Sequence, residues 1–283
     1  MSKFISKDFE FITVPSIKEK KKKNEKIVMV TAYDYSSAKI CDSAGVDIIL
    51  VGDSLGMVIQ GNEDTLSVTL SEMIYHTKIV AKAVKRSLVV SDMPFLTYHS
   101  EIKDAIINCG KCIKEGKAQA VKLEGGKKRS KLIKKIIENE IPVMGHIGLT
   151  PQSVHNIGGF KVQGKDKDSI KKLLEDAVSL EESGVFSIVL ECIPSEVAEE
   201  ITNTVNVPTI GIGSGPHCDG QVLVFHDLLG ISEPPLPRFV KQYKNLRKEI
   251  EEGILMFSSE VRKGEFPKED NAYHTENVQK RIK

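Results

Sequence analysis

Five apolar runs in this 283-residue chain end on side chains that can hold a cation or move a proton. They are Asp47-Ile-Ile-Leu-Val51 followed by Gly52, Asp53 and Ser54; Ser87-Leu-Val-Val-Ser-Asp92; Ala120-Val-Lys-Leu-Glu124; Pro142-Val-Met-Gly-His146; and Ser187-Ile-Val-Leu-Glu191. Asp53, Asp92 and Glu124 end consecutive strands, and three carboxylates so placed repel one another unless a positive charge lies between them. A hard divalent cation, Mg²⁺ above all, accepts oxygen ligands delivered one per strand and keeps waters that a substrate can displace. Singly, each acid reads as readily as a helix cap or a lysine partner. Together they read as a metal set.

Side chains two apart on a strand share a face. Lys122 therefore points with Glu124, Leu88 and Val90 with Asp92, and Val189 with Glu191. Lys122 either pairs with a substrate carboxylate or is a structural counter-charge to the acids. Ser54 adds a donor beside Asp53. Glu191 stands where a general base could reach a substrate held by the metal, and its bland alternative is a carboxylate satisfied by backbone. His146 could orient that reaction, or be an interior hydrogen-bonded histidine.

The elements that must position these residues alternate along the chain. Strand signals fall at Ile27–Ala32, Asp47–Val51, Ser87–Asp92, Ala118–Glu124, from Ile141, at Ser187–Glu191, Val207–Gly211 and Gln221–Phe225. Helical periodicity occupies Tyr35–Ala44, Thr69–Val84, Glu101–Glu115, Lys127–Asn139, Ser169–Ser183, Pro194–Asn203 and a long closing helix, Val240–Val261. Eight strands alternating with helices over about 230 residues predict a single-domain (β/α)8 TIM barrel, whose active site lies at the C-terminal ends of its strands. A doubly wound sheet is the alternative, and no GxGxxG follows the first strand to favour it. The expected division is a polar arm over residues 1–25, the barrel over 26–265 and a tail over 266–283.

Composition is that of an ordinary globular chain, and a formal net charge of +1 gives no sign of a nucleic-acid partner. No apolar stretch is long enough for a membrane span and no secretory signal is evident, so a cytoplasmic protein is expected. An odd number of cysteines in so long a chain reads as reduced thiols. Cys109 and Cys112 have CxxC spacing late in a helix, where burial is a better reading than redox chemistry. The glycine-punctuated stretch Gly148–Gly164 is long enough for a lid over the mouth. Gly211-Ile-Gly-Ser-Gly215 could approach a phosphate or simply make a tight turn, and His217-Cys218-Asp219 reads as a surface turn.

The same residues identify a family. Thr31-Ala-Tyr-Asp-Tyr35, Val51-Gly-Asp-Ser-Leu-Gly56, Tyr75-His76-Thr77, Ser91-Asp-Met-Pro-Phe95, Val121-Lys-Leu-Glu-Gly-Gly126, Gly145-His-Ile-Gly-Leu-Thr-Pro-Gln152, Leu190-Glu191-Cys192 and Gly211-Ile-Gly-Ser-Gly215 resemble, in order, the ketopantoate hydroxymethyltransferases. The resemblance covers roughly Ile27 to His274. It implies a Mg²⁺-dependent barrel that converts 3-methyl-2-oxobutanoate and 5,10-methylenetetrahydrofolate into 2-dehydropantoate and tetrahydrofolate through a Mg²⁺-stabilised enolate, towards pantothenate and coenzyme A. It also implies Asp53, Asp92 and Glu124 as metal ligands, Ser54 and Lys122 joining Asp53 and Asp92 on the oxo acid, Glu191 as proton acceptor, and His146 as a further site residue. A homo-oligomer, a decamer in this family, is implied as well. The runner-up is a related Mg²⁺ oxo-acid enzyme of the phosphoenolpyruvate mutase and isocitrate lyase type. The Lys-Lys-Cys-Gly-His motif that would favour the lyase does not occur.

Overall fold

The computed structural model describes residues 11–274. The outer parts of the expected arm and tail, residues 1–10 and 275–283, lie outside the described residues. Eight parallel strands close a barrel in chain order: β1 (Ile27–Thr31), β2 (Ile48–Val51), β3 (Leu88–Asp92), β4 (Ala120–Glu124), β5 (Val143–Gly148), β6 (Ser187–Glu191), β7 (Thr209–Ile212) and β8 (Gly220–Leu223). The strands are nearly continuous runs of buried residues, as parallel strands covered on both faces must be. Their alternation divides the core in two. Met29, Ile48, Leu88, Met144 and Ile210 fill the barrel interior, whereas Val121, Leu123, Val143, Ile188 and Leu190 face outward into the layer beneath the helices.

Local chemistry sets the helix boundaries. The Asp34 carboxylate accepts from the Ser36 and Ser37 amides to start Tyr35–Ser43. Thr69 and Glu72 form a reciprocal capping box at the head of Leu70–Ala83. No helix separates β7 from β8, in keeping with the sequence, which shows no helical periodicity between Gly211 and Gln221.

The lysine-rich start is less of an arm than its composition predicts. Val14–Lys22 is a helix with Ile17 fully buried, and Ile12 and Ile17 join the interior cluster as a plug. Lys21 Nζ donates to the carbonyls of Thr202 and Val207 and to Asp219, and Lys20 pairs with Asp47. Asp219 and the buried Cys218 thus belong to this seam and not to a surface turn.

By packing, the chain divides into Met1–Phe225 with Pro237–Val240, which holds the barrel, and His226–Leu236 with Lys241–Lys283. In the second unit the long helix runs Leu246–Lys263, starting later than the predicted Val240 because Asn245 caps it, and Gly264 ends it in the left-handed region.

Candidate active site

Register brings the ionisable residues together. On neighbouring strands Asp92 lies beside Lys122, Glu124 beside His146, and Gly148 beside Glu191. Asp53 reaches the same place differently: β2 stops at Val51 and the chain turns, so the Asp53 amide donates to Asp92 Oδ2 at 3.3 Å. Asp53, Asp92, Lys122, Glu124 and His146 are each at most 4 % exposed. The Glu191 side chain is 16 % exposed, which makes it the carboxylate open to the mouth. Ser54 lies at the edge with its Oγ 2.7 Å from the Tyr33 hydroxyl.

Lys122 is the hub. Its Nζ is 2.9 Å from Asp92 Oδ1 and 3.2 Å from His146 Nδ1. Burial opposes the ammonium, but Asp92, Glu124 and Asp53 outweigh it and hold Lys122 above the usual lysine range. An ammonium only donates, so His146 Nδ1 accepts and its proton sits on Nε2, 3.2 Å from Glu191 Oε2. Burial, with Lys122 adding, lowers His146 well below its usual pKa, and the ring is neutral.

Burial pushes Asp92 up to about 7 against the pull of Lys122, with Asp53 adding to the rise, and pushes Glu191 up to about 7, again against Lys122. Glu124 is driven well above the usual range, chiefly by burial. These carboxylates hold protons in the fold at a pH where the unfolded chain has lost them. Their ionisation therefore subtracts stability as pH rises from about 4 to about 7.

Two observations test whether a cation suits this cluster. Glu124 Oε1 is a buried acceptor without a hydrogen bond, Asp92 Oδ1 beside it has the Lys122 ammonium as its partner, and the carboxylates supply hard oxygens. Among the described residues, however, no three His, Cys, Asp or Glu side chains form a ready-made metal cage. The predicted set Asp53, Asp92 and Glu124 is not preassembled, because the Lys122 ammonium and an amide lie among the acids. The donor set fits a cation of the Mg²⁺ type that takes few protein ligands and completes its shell with water and substrate.

That amide belongs to Gln152, which sequence reasoning passed over as a lid residue. Its Nε2 donates to Asp53 Oδ2 at 2.8 Å and to the Met93 carbonyl, its Oε1 accepts from the Tyr98 hydroxyl, and its backbone amide donates to Glu124 Oε2. Gln152→Ala should cost about 1–3 kcal/mol through buried groups left unpaired. It should also shrink the rise in Tm that Mg²⁺ produces. A variant with unaltered Tm and an unaltered Mg²⁺ response would remove Gln152 from the site.

Glu191 is fixed from behind. Ser214 Oγ donates to the Leu190 carbonyl and accepts from the Ile193 amide, so the glycine turn after β7 serves as a brace. Cys192, expected in the core, is half-buried in the left-handed region (φ 48°). Both ends of the Gly148–Gly164 stretch are stitched to this segment, through Leu149 N to Glu191 O and Gln163 N to Cys192 O. A Cβ on Gly148 would stand 2.2 Å from Glu191 O, which only glycine permits. The CxxC thiols are fully buried in Ile102–Lys114, and burial raises both, Cys112 to about 11.

The ketopantoate hydroxymethyltransferase family model matches residues 11–269. The 3-methyl-2-oxobutanoate hydroxymethyltransferase of Clostridium botulinum is 56 % identical over 261 residues, 92 % of this chain and 95 % of that protein. The enzyme of the same name from Syntrophomonas wolfei is 54 % identical over 262 residues, 93 % and 95 % of the two chains. Among solved structures, phosphoenolpyruvate phosphomutase from Streptomyces platensis superposes with a TM-score of 0.61 at 13 % identity, covering 94 % and 93 % of the chains. 2,3-Dimethylmalate lyase, a member of the PEP mutase/isocitrate lyase superfamily, gives 0.57 at 13 % identity over the same shares. At such identities the likeness is one of fold.

Proposed function

The chain belongs to the ketopantoate hydroxymethyltransferase family, and we propose that it carries out that family's reaction with the residues gathered at the barrel mouth. It is a 3-methyl-2-oxobutanoate hydroxymethyltransferase. The observation that carries the site assignment is the meeting of Asp53, Asp92, Glu124 and Glu191 around one buried lysine.

A Mg²⁺ ion held through Asp53, Asp92 and Glu124 would supply Lewis-acid polarisation of the keto oxygen. Lys122 offers its ammonium to the oxo-acid carboxylate, and Ser54, steadied by Tyr33, offers a hydroxyl beside it. Glu191 takes the proton from C3; that C–H pair becomes the C2–C3 π bond and the carbonyl π pair moves onto oxygen. The neutral His146 sets its Nε2 3.2 Å from Glu191 Oε2 without a hydrogen bond, so the base has a polar neighbour and is still free to ionise. C3 then bonds the methylene carbon of 5,10-methylenetetrahydrofolate. In the net reaction both C–N bonds of that bridge break, water supplies the hydroxyl oxygen, and the two nitrogens take the proton from C3 and one from water. The Leu149–Gly164 segment, anchored beside Glu191, screens these steps from solvent.

We place the enzyme in the cytoplasm as a homo-oligomer, with a decamer as the state to test. Supporting this, Ile250, Ile254, Phe257 and Val261, at spacings of four, three and four on one helix, are all exposed. Among the described residues no helix is long and apolar enough to cross a membrane.

The test is deuterium exchange at C3 of 3-methyl-2-oxobutanoate, followed by NMR with Mg²⁺ and with chelator. Exchange should require the metal and rise with pH to a plateau above about 7, because the base acts as the carboxylate and Glu191 ionises near there. No metal-dependent exchange by the folded protein would defeat the reading.

A further inference from the structure

Asp53, Asp92 and Glu124 share one arrangement: each commits one carboxylate oxygen to a neutral N–H and leaves the other. Asp53 Oδ2 accepts from Gln152 Nε2 at 2.8 Å, Glu124 Oε2 from the Gln152 backbone amide at 3.1 Å, and Asp92 Oδ2 from the Asp53 amide at 3.3 Å. Left over are Asp53 Oδ1, Asp92 Oδ1, which faces the Lys122 ammonium at 2.9 Å, and Glu124 Oε1, which has no hydrogen bond among the described residues.

Gln152 supplies two of these three donors, and Tyr98 fixes Gln152. The Tyr98 hydroxyl has one proton, whose nearest acceptor is Gln152 Oε1 at 2.8 Å, and its oxygen accepts from the Glu124 amide at 3.2 Å. With Oε1 engaged, Nε2 is left to the Asp53 carboxylate and the Met93 carbonyl, both of which can only accept. The donors therefore run one way, from the phenol through Gln152 to Asp53. Tyr98 is itself buried, with its ring centroid 4.1 Å from that of His99 and 5.5 Å from the Arg129 guanidinium.

Such bonds weigh differently on different cations. Mg²⁺ takes single oxygens at about 2.0–2.1 Å in a strict octahedron, whereas Ca²⁺ takes ~6–8 oxygens at about 2.3–2.6 Å and readily grips both oxygens of one carboxylate. An acid with one oxygen spent on an N–H offers the other alone. We propose that Gln152 and Tyr98 are positioning residues that hold Asp53 and Glu124 to one oxygen apiece, and so make the mouth select Mg²⁺ against Ca²⁺. The inference rests on the reading above that these acids hold the cation. Neither residue need touch the ion: they act through the carboxylates, as outer hydrogen-bond partners of metal ligands do.

The test is calorimetric titration of the full-length protein with magnesium chloride and with calcium chloride, in the presence of 3-methyl-2-oxobutanoate, for wild type, Gln152→Met and Tyr98→Phe. Methionine keeps the length of glutamine and lacks its donors; phenylalanine keeps the ring against His99 and Arg129 and lacks only the hydroxyl. Gln152→Met should weaken Mg²⁺ by about tenfold, the lower end of what losing an outer hydrogen-bond partner costs, and leave the Kd for Ca²⁺ within about threefold of the wild type's. Tyr98→Phe should lower the ratio of the Ca²⁺ Kd to the Mg²⁺ Kd by about threefold, since it acts at one further remove. Thermal melts check the fold of each, and Tyr98→Phe decides alone where Gln152→Met does not fold. An unchanged ratio, or equal weakening of both cations, overturns the inference while leaving the metal reading intact. A folded wild type that binds neither cation overturns the metal reading, and this inference with it.

Discussion

Replacing Glu191 by Gln should slow C3 exchange of 3-methyl-2-oxobutanoate by about 10²- to 10⁴-fold, the range a positioned general base supplies. The exchange is set by the one group that can take the proton. The amide has the carboxylate's size, and His146 Nε2, 3.2 Å from Glu191 Oε2 with no hydrogen bond between them, can face an amide oxygen as it faces a carboxylate. The brace from Ser214 and the close approach of Gly148 act on backbone and survive the change. Titrating the variant with Mg²⁺ and the oxo acid should give affinities near those of the wild type, and the loss should fall on exchange and kcat. Glu191→Asp should recover part of the rate, with its pH midpoint displaced from about 7. Wild-type exchange in the Gln variant would show that another group removes the proton.

The barrel and most of its mouth were legible because a parallel barrel writes a plain pattern: a strand buried on both faces has no polar residue to spare until it ends. Asp92, Lys122, Glu124, His146 and Glu191 could be read from strand alternation together with the rule that barrels act at strand ends. Asp53 could not be placed by alternation, since it enters the site through the turn after Val51. Gln152, Tyr98 and Ser214 escaped notice because neutral hydrogen-bonding residues on loops carry no periodic signal; only their partners show what they do. At the N-terminus the lysines drew attention from Ile12 and Ile17, two apolar residues too few to make a pattern and enough to plug a barrel. The second unit was hidden for a related reason: a helix such as Leu246–Lys263 has amphipathic spacing whatever it packs against.

Lys122→Met bears on a choice that residue types alone left open, whether this lysine is the partner of a substrate carboxylate or the counter-charge of the acids. Geometry makes it at least the latter, with Asp92 Oδ1 at 2.9 Å and both side chains buried. Removing one partner of a buried ion pair leaves the other uncompensated and costs about 3–5 kcal/mol. For a chain of this size that corresponds to a fall in Tm of roughly 10 °C. The cost has a definite pH dependence. Asp92 is already raised from an ordinary 3.8 to about 7 by burial, with Lys122 the main force opposing that rise. Without the lysine it rises further, so in the fold it is protonated over a wider range while the unfolded chain still ionises near 4. Stability therefore falls with pH across that wider window, and the variant should lie closest to wild type near pH 5 and furthest from it near pH 8. Mg²⁺ should return part of the lost Tm at pH 8, since a cation among the same carboxylates replaces the missing charge. Thermal melts at both pH values, with and without the ion, read the structural role; the KM for 3-methyl-2-oxobutanoate, measured where the variant is folded, reads the substrate role. A variant as stable as the wild type at pH 8 without metal would exclude the counter-charge. One that is destabilised but binds the oxo acid normally would confine Lys122 to it.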